Sequence, residues 1–470
     1  MKKYNAIIIG MGPAGLFATK TIMERSKDAT VLVLEQGMDT VYRKCPADTG
    51  TCQLCEHCAV VSGAGGAGMF SDGKLVLDLN FGGDSKNIER LSTNQKEKIC
   101  NYIKETLKEY DGVSEFKDLK DPDEIEDIQR RFYERNFSIM FYPVLHMGTR
   151  NLTSITKNFV NALTCQYSNR LTILYGKEVK TIEKKSNGYI LKDKNGQIFE
   201  SKYVITAVGK NGADWNKKVL QSLGCHFTGN RAYYGVRVEV PAESMRSLLS
   251  RTFDPKIFRV YEDGSKMKIH CVCKEGKIRM YRYRENVLVG GHSPYTEANI
   301  GVKRHSRSNF NVLLSCDKRN TDISAMLQEF HDIAPLKMLV QGYEDFKNNT
   351  VTCNTNVSEN TIMQRANIRH ILEKYGDFAE KFIQFMENLA CICPGIEGEE
   401  TVLYGPVVEW TMDRIALGDY FETECTNLFA IGDGAGISQG IVYAGATGIL
   451  AAEEVCRRLE NEVGERILSR

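Results

Sequence analysis

Two runs of glycine carry the first chemical signal. Gly10–Gly15 reads GMGPAG and Gly63–Gly68 reads GAGGAG, each matching G-x-G-x-x-G. Where such a run joins a strand to a helix, backbone N–H groups and the positive helix end face a pyrophosphate. The first run has that setting. NAIII, Asn5–Ile9, is apolar and β-branched and predicts a buried strand. PAGLFATKTIMERSK predicts a helix with Leu16, Ala18, Ile22 and Met23 at helical spacing. TVLVLE predicts a second strand ending at Glu35, 20 residues after Gly15. Gly10 then makes the tight turn, Gly12 lets a pyrophosphate approach beside Pro13 and Ala14, and Gly15 lets helix and strand pack. Glu35, with Gln36 beside it, accepts from a ribose hydroxyl, which favours FAD or NAD over NADP. The second run lacks this setting. Only Ala59–Val61 offers a strand before it, and MFSDGKLVLDL after it predicts a turn and a strand, with no acid at the expected distance. A flexible loop and a second nucleotide site both remain open for it.

Four of the 15 cysteines cluster as Cys45-x6-Cys52-x2-Cys55-x2-Cys58. That spacing brings three or four thiolates around zinc or an iron–sulfur cluster. A redox dithiol and reduced structural cysteines are the other readings. The scattered ones, among them Cys165, Cys225, Cys391 and Cys456, are expected to be small buried hydrophobes.

The elements that position these groups span 470 residues, a length that predicts two to three domains. Hydrophobic content of 42%, charged content of 26% and a formal charge of +1 are those of a soluble globular protein. They give no reason for a nucleic-acid or membrane-surface partner. The lysines and apolar run at the start are interrupted by GMGPAG, unlike a signal peptide, and no run reaches the ~18 apolar residues of a membrane span. A cytoplasmic location is expected. Near the C-terminus, TNLFAIGDGAGISQGIVYAGATGILAAEEVCRRL predicts a strand over Leu428–Ile431, the pair Gly432-Asp433, and a turn through Gly440 and Ile441 into a helix of small residues. Asn-Gly turns at Asn187 and Asn195 join three alternating strands into a meander, the last ending in AVG through Ala207 and Gly209.

Gly432-Asp433 and the helix after it resemble the ribityl-binding motif of the FAD-dependent oxidoreductase superfamily. The resemblance implies that Asp433 meets ribityl or phosphate oxygens, and that the helix after Gly440-Ile441 points its positive end at the flavin and stabilises its anionic reduced form. It also implies that the meander meets adenine through the backbone of Val179, and that Ala207 and Gly209 pass near the cofactor. More narrowly, RKCPADTGTCQLCEHC…GAGGAGMFSDGKL, then HMGT at His146–Thr149, then GVRVEVP at Gly235–Pro241, resemble a family of bacterial FAD-dependent dehydrogenases whose substrates are mostly undefined. The chain departs from that family at Arg150, at CKEGKI (Cys273–Ile278) and at GGHS (Gly290–Ser293). In related flavoproteins the segment at GAGGAG runs beside the cofactor, which would place Gly66, Ala67, Gly68, Ser71, Asp72 and Lys74 along it.

The expected fold is α/β: a Rossmann-like FAD-binding domain, with a parallel sheet plus β-meander, and an inserted mixed α/β substrate domain. Residues 1–80, 140–224 and 397–470 would form the discontinuous FAD domain, 81–139 a solvated helical excursion, and 225–396 the capping domain. The function this implies is a FAD-dependent oxidoreductase moving a hydride between an organic small molecule and flavin, with NAD(P)H binding only transiently if at all. The alternatives are an electron carrier that serves a partner protein through a cysteine-bound centre, and a redox sensor. Proton-handling candidates are His292, in GGHSPY beside Tyr295, and Lys74. His146, ahead of the amphipathic run GTRNLTSITKNFVNAL, is expected to be structural.

Overall fold

The computed structural model describes residues 3–46, 53, 55–110, 114–229, 232–293, 305–316, 321–353 and 362–468. Lys3–Ile9 forms the centre of a seven-stranded sheet. It pairs in parallel with Val31–Leu34 on one side and with Ile198–Thr206 on the other. Leu171–Leu174 extends the sheet in parallel beyond Val31–Leu34. The first half of Ile198–Thr206 pairs antiparallel with Gly188–Asp193, which pairs in turn with Val179–Lys185. Its second half pairs in parallel with Leu428–Ala430. The expected parallel sheet and meander are therefore both present. The continuous apolar runs of the central strands follow from burial on both faces, and each fully buried Ile or Leu contributes about 1.5–3 kcal/mol.

Helix Pro13–Arg25 packs on this sheet beside helix Ile441–Leu468. The two backbones come so close that a Cβ on Gly448 would lie 2.2 Å from the Ala14 carbonyl oxygen. The small residues of the C-terminal helix are thus a packing requirement as well as a turn signal.

A second sheet has eight strands in the order Met363–Arg365, Met338–Gly342, Val402–Glu409, Ala232–Pro241, Arg307–Cys316, Lys266–Cys273, Lys256–Val260 and Ser138–Met140. A hairpin, Lys277–Tyr283 with Asn286–His292, stands beside it. Helices Ile323–Ile333 and Phe378–Ala390 share its hydrophobic core.

The expected boundaries shift in three places. Val402–Glu409 pairs with Ala232–Pro241 and belongs to the second sheet, not to the FAD-type domain that was to resume at 397. All eight of its residues are buried, and both of its partner strands are antiparallel to it. Ser138–Met140 likewise pairs into the second sheet. The stretch 81–139 is not a solvated excursion. Helix Thr93–Lys108 buries Cys100, Ile103 and Leu107 in the first core, and helix Pro122–Tyr133 buries Ile128 and Phe132 in the second. Charged outer faces hid these apolar stripes.

Candidate functional site

The two glycine runs meet. Gly65 donates its N–H to the Met11 carbonyl at 2.7 Å, and a Cβ on Gly66 would fall 2.7 Å from Gly12 Cα. Gly66 has φ +56, a region open to glycine, so only glycine allows this contact without strain. In the first run, a Cβ on Gly15 would lie 2.1 Å from the Gly10 carbonyl oxygen, which fixes the tight turn. Gly12 is the N-cap of helix Pro13–Arg25, and no side chain caps it. The free N–H groups of that first turn open onto a cavity of about 760 Å³, within the ~300–1,000 Å³ of ligand sites.

Glu35 holds the two runs together. Its buried carboxylate accepts from the N–H of Met11 at 2.8 Å, of Gly37 at 2.8 Å and of Gly63 at 2.9 Å. A carboxylate accepts about four hydrogen bonds, so room for a hydroxyl remains. Arg43 pins the second run from outside: its buried guanidinium donates to the carbonyls of Ala59, Val60 and Ala64. Burial pulls its pKa down to about 10. The run itself is a turn followed by a short 3-10 helix, Gly66–Phe70, with no strand at Ala59–Val61.

At the other end of the cavity, Gly432, Asp433, Gly440 and Ile441 line its wall beside Ala207 and Gly209. Asp433 accepts from the Ser438 hydroxyl at 2.7 Å, and burial raises its pKa to about 6. Lys210, in the turn after Gly209, donates to the Val408 carbonyl at 3.0 Å and lies 4.6 Å from the centre of the Tyr283 ring. Burial lowers its pKa to about 8. Both groups thus titrate near neutrality, as groups that handle protons in a cleft do.

The second sheet and its hairpin close the cavity with a dense polar cluster. The Lys74 ammonium sits 2.9 Å from Asp72 and 3.5 Å from Asp254. Burial opposes its charge, but Asp254 and Asp72 outweigh that and hold its pKa well above the ordinary value. Lys256 also pairs with Asp254, at 2.6 Å. Glu409 accepts from Lys268 at 3.0 Å and from the His270 ring. Arg237, completely buried, donates to Asn309, to Asn311 and to the Cys273 sulfur. His292 lies on the cavity wall with Nδ1 3.0 Å from the Thr149 hydroxyl. Burial, aided by Arg279, lowers its pKa to about 4, so it is neutral at pH 7. His146 pairs in register with Lys74 and is buried against Phe253, and burial lowers its pKa to about 4 as well.

Of the residues picked from sequence, Gly10, Gly12, Pro13, Ala14, Glu35, Gln36, Gly66, Ala67, Gly68, Ser71, Asp72, Lys74, Val179, Ala207, Gly209, His292, Gly432, Asp433, Gly440 and Ile441 all line this one cavity. Gly15 stands behind it as a packing residue. Lys74, a proton-handling candidate from sequence, lies between two buried carboxylates, Asp72 and Asp254. The cysteine cluster is described only in part: Cys45, Cys55 and Cys58 are free and half-buried, and they do not form a group of three metal-ligating atoms among the described residues. Cys52 and Tyr295 lie outside the described residues. Cys225 and Cys456 are buried as expected, whereas Cys165 and Cys391 are exposed. Reading by motif missed Arg43, Lys210, Arg237, Asp254, His270, Cys271, Cys273 and Glu409. The signal available for some of them was a charge inside an apolar strand, as Arg237 is in GVRVEVP, and C-x-C at strand spacing.

No family model matches the chain, and no curated protein matches it. Among solved structures, it is similar to glycine oxidase from Geobacillus kaustophilus, with 14% identity, a TM-score of 0.42, and coverage of 97% of this chain and 95% of that one. It is also similar to a flavoprotein/dehydrogenase from Cytophaga hutchinsonii, with 11% identity, a TM-score of 0.42, and 98% and 79% coverage. A third is NikD, an unusual amino acid oxidase essential for nikkomycin biosynthesis, with 11% identity, a TM-score of 0.42, and 97% and 94% coverage. These likenesses say nothing of this chain's chemistry, which rests on the cavity.

Proposed function

We propose that the chain is a FAD-dependent oxidoreductase that passes a hydride between an organic small molecule and the flavin. The observation that carries this reading is the meeting of both glycine runs, stapled by Glu35, along one cavity that continues to Asp433 and to the wall of the second sheet. The residues present suit the cofactor. The uncapped N-terminus at Gly12-Pro13 suits a pyrophosphate, Glu35 has capacity for a ribose hydroxyl, and Asp433 has a single hydrogen bond among the described residues and suits a polyol. A Cβ on Gly440 would meet nothing within 4 Å, which leaves the start of helix Ile441–Leu468 open to a ring system.

When bound, FAD supplies the two-electron acceptor and donor. The chain's own residues bind, orient and shield. His292, neutral and held by Thr149, accepts or returns a proton at the cavity wall, and Lys210 serves as a second proton-handling group. Lys74, Lys256 and Lys268 on the same wall are matched by Asp72, Asp254 and Glu409, so these ion pairs make the wall polar without selecting the charge of the substrate. The test is anaerobic incubation of the FAD-loaded protein with a panel of amino acids, hydroxy acids and neutral alcohols, followed by the visible flavin band. Bleaching by any member of the panel supports the reading. Bleaching by none of them, nor by NADH or NADPH, contradicts it.

A further inference from the structure

The sequence HCVC, His270–Cys273, lies where the second sheet faces the cavity, and nothing in the flavin reading uses its two sulfurs. Residues two apart on a strand share a face. Here the strand also carries a bulge, with its register broken between His270 and Cys273 and Cys271 at φ +55. Non-glycine residues adopt that conformation only where the surrounding structure enforces it. The outcome is a sulfur pair: Cys271 Sγ, Cys273 Sγ and an Asp72 carboxylate oxygen all lie within 4.8 Å of one another. Cys271 is half-buried and lines the cavity, while Cys273 is buried behind it.

Two thiols and a carboxylate could also hold a metal, but the charges beside them decide against a cation. Arg237 Nη2 is 3.1 Å from Cys273 Sγ and 3.0 Å from the Cys271 carbonyl, and Lys74 is 2.9 Å from Asp72. Asp72 is already neutralised by Lys74, and Arg237 has no carboxylate among its hydrogen-bond partners here. A divalent ion would have to sit beside two buried cations, whereas a thiolate is stabilised by them.

We propose that Cys271 and Cys273 are a thiol–disulfide exchange pair that opens on the cavity and takes a disulfide as substrate. The Cys271 thiolate attacks one sulfur of R–S–S–R. That S–S bond breaks, the first RS⁻ leaves and takes a proton from water, and a mixed disulfide forms on Cys271. The Cys273 thiol, 3.3 Å from the Asp72 carboxylate, then attacks the Cys271 sulfur. The Cys271–Cys273 bond forms, and the second RS⁻ leaves with the proton that Cys273 gave up. The substrate is reduced to two thiols, and the pair of cysteines is oxidised by the same two electrons. The groups facing Cys271 suit it to the attacking role. The Cys273 thiol donates to it, Arg237 and Lys74 add positive charge, Asp72 opposes them, and the neutral phenols of Tyr142 and Tyr281 stand near. Against burial, these bring its pKa down to about 5, while burial pushes that of Cys273 up.

This proposal goes beyond the flavin reading and does not require it. The test uses the purified full chain, with its flavin content read separately from the visible band. The protein is equilibrated in a series of reduced and oxidised glutathione mixtures, trapped in acid, and digested to the tryptic peptide IHCVCK, Ile269–Lys274. The expected product is that peptide lighter by two hydrogens, reversed by dithiothreitol, and Cys273→Ser should stop at a glutathione adduct on Cys271. At pH 6, a thiol of pKa near 5 gains a few hundredfold in thiolate over an ordinary one and loses part of that in nucleophilicity. Cys271 should therefore alkylate about tenfold faster than the exposed Cys165. The proposal is overturned if no internal disulfide forms anywhere in the series, or if the protein carries one zinc per chain that Cys271→Ser removes. Closure of the disulfide in a chain that retains no flavin after saturation with FAD would keep this proposal and count against the flavin reading alone.

Discussion

Gly12→Ala separates a cofactor cradle from a packing motif. Gly12 has φ −74 and ψ −175, which any residue adopts, and its added Cβ would meet only Gly66 Cα, at an ordinary 3.7 Å. As a helix N-cap without a side-chain hydrogen bond, the position loses no more than about 1 kcal/mol on this change. The melting temperature should therefore move by no more than ~2–4 °C. The methyl group, however, stands where a pyrophosphate must approach the backbone N–H groups of helix Pro13–Arg25. A hydrogen bond to a charged group contributes about 1.5–3 kcal/mol, so losing two costs about 3–6 kcal/mol, or roughly 10²–10⁴ in the dissociation constant of FAD. Isothermal titration or fluorescence quenching of FAD measures this. Gly66→Ala is the contrasting case. Its φ of +56 and the 2.7 Å contact with Gly12 Cα make it lose stability as well, by about 1–2 kcal/mol or more. A Gly12→Ala protein that binds FAD within about threefold of wild type would refute the reasoning.

The other expected outcomes concern buried charge. Lys74→Met strands the buried Asp72, leaves Asp254 to Lys256 alone, and should cost about 3–5 kcal/mol in urea unfolding, and a loss under ~1 kcal/mol would contradict the buried triad. His146 and His292 have folded pKa values of about 4, below the ordinary 6.5, so the fold favours their neutral forms. Their contribution is fully present above pH ~6.5 and is lost as pH falls toward 4, by up to about 3 kcal/mol each. His146→Phe, which keeps a ring against Phe253, should flatten that slope, and an unchanged Tm-against-pH curve would count against it. Asp433, raised to about 6 by burial, penalises the cofactor-free fold as pH rises from 3.8 through 6. Asp433→Asn should accordingly stabilise cofactor-free protein at pH 7 by about 1–3 kcal/mol while weakening FAD binding, and scanning calorimetry with and without FAD reads both.

The first sheet was legible because its signals are local. Asn5–Ile9, GMGPAG and Glu35 follow one another within a single strand–turn–helix–strand unit, and two Asn-Gly turns announce the meander. GAGGAG was legible only in part: its neighbours lack the strand–helix setting of the first run, but that left two readings open, and only the fold shows Gly66 against Gly12. The second sheet was not readable in its boundaries. Val402–Glu409 and Ser138–Met140 each pair with a strand more than a hundred residues away in the chain, and such pairing leaves no mark on either segment. The cysteine cluster is described only in part, since Cys52 lies outside the described residues, and Cys45, Cys55 and Cys58 alone do not form a three-ligand group. The pair that does converge, Cys271 and Cys273, depends on a bulge and on Arg237 from another strand.

The central claim is that one FAD lies along both glycine runs. It is tested most directly by saturating the purified chain with FAD, removing the excess by gel filtration, and releasing the bound flavin by heat for quantitation. The account predicts about one FAD per chain for wild type and little for Gly12→Ala. A wild-type chain that retains no flavin after saturation would contradict it.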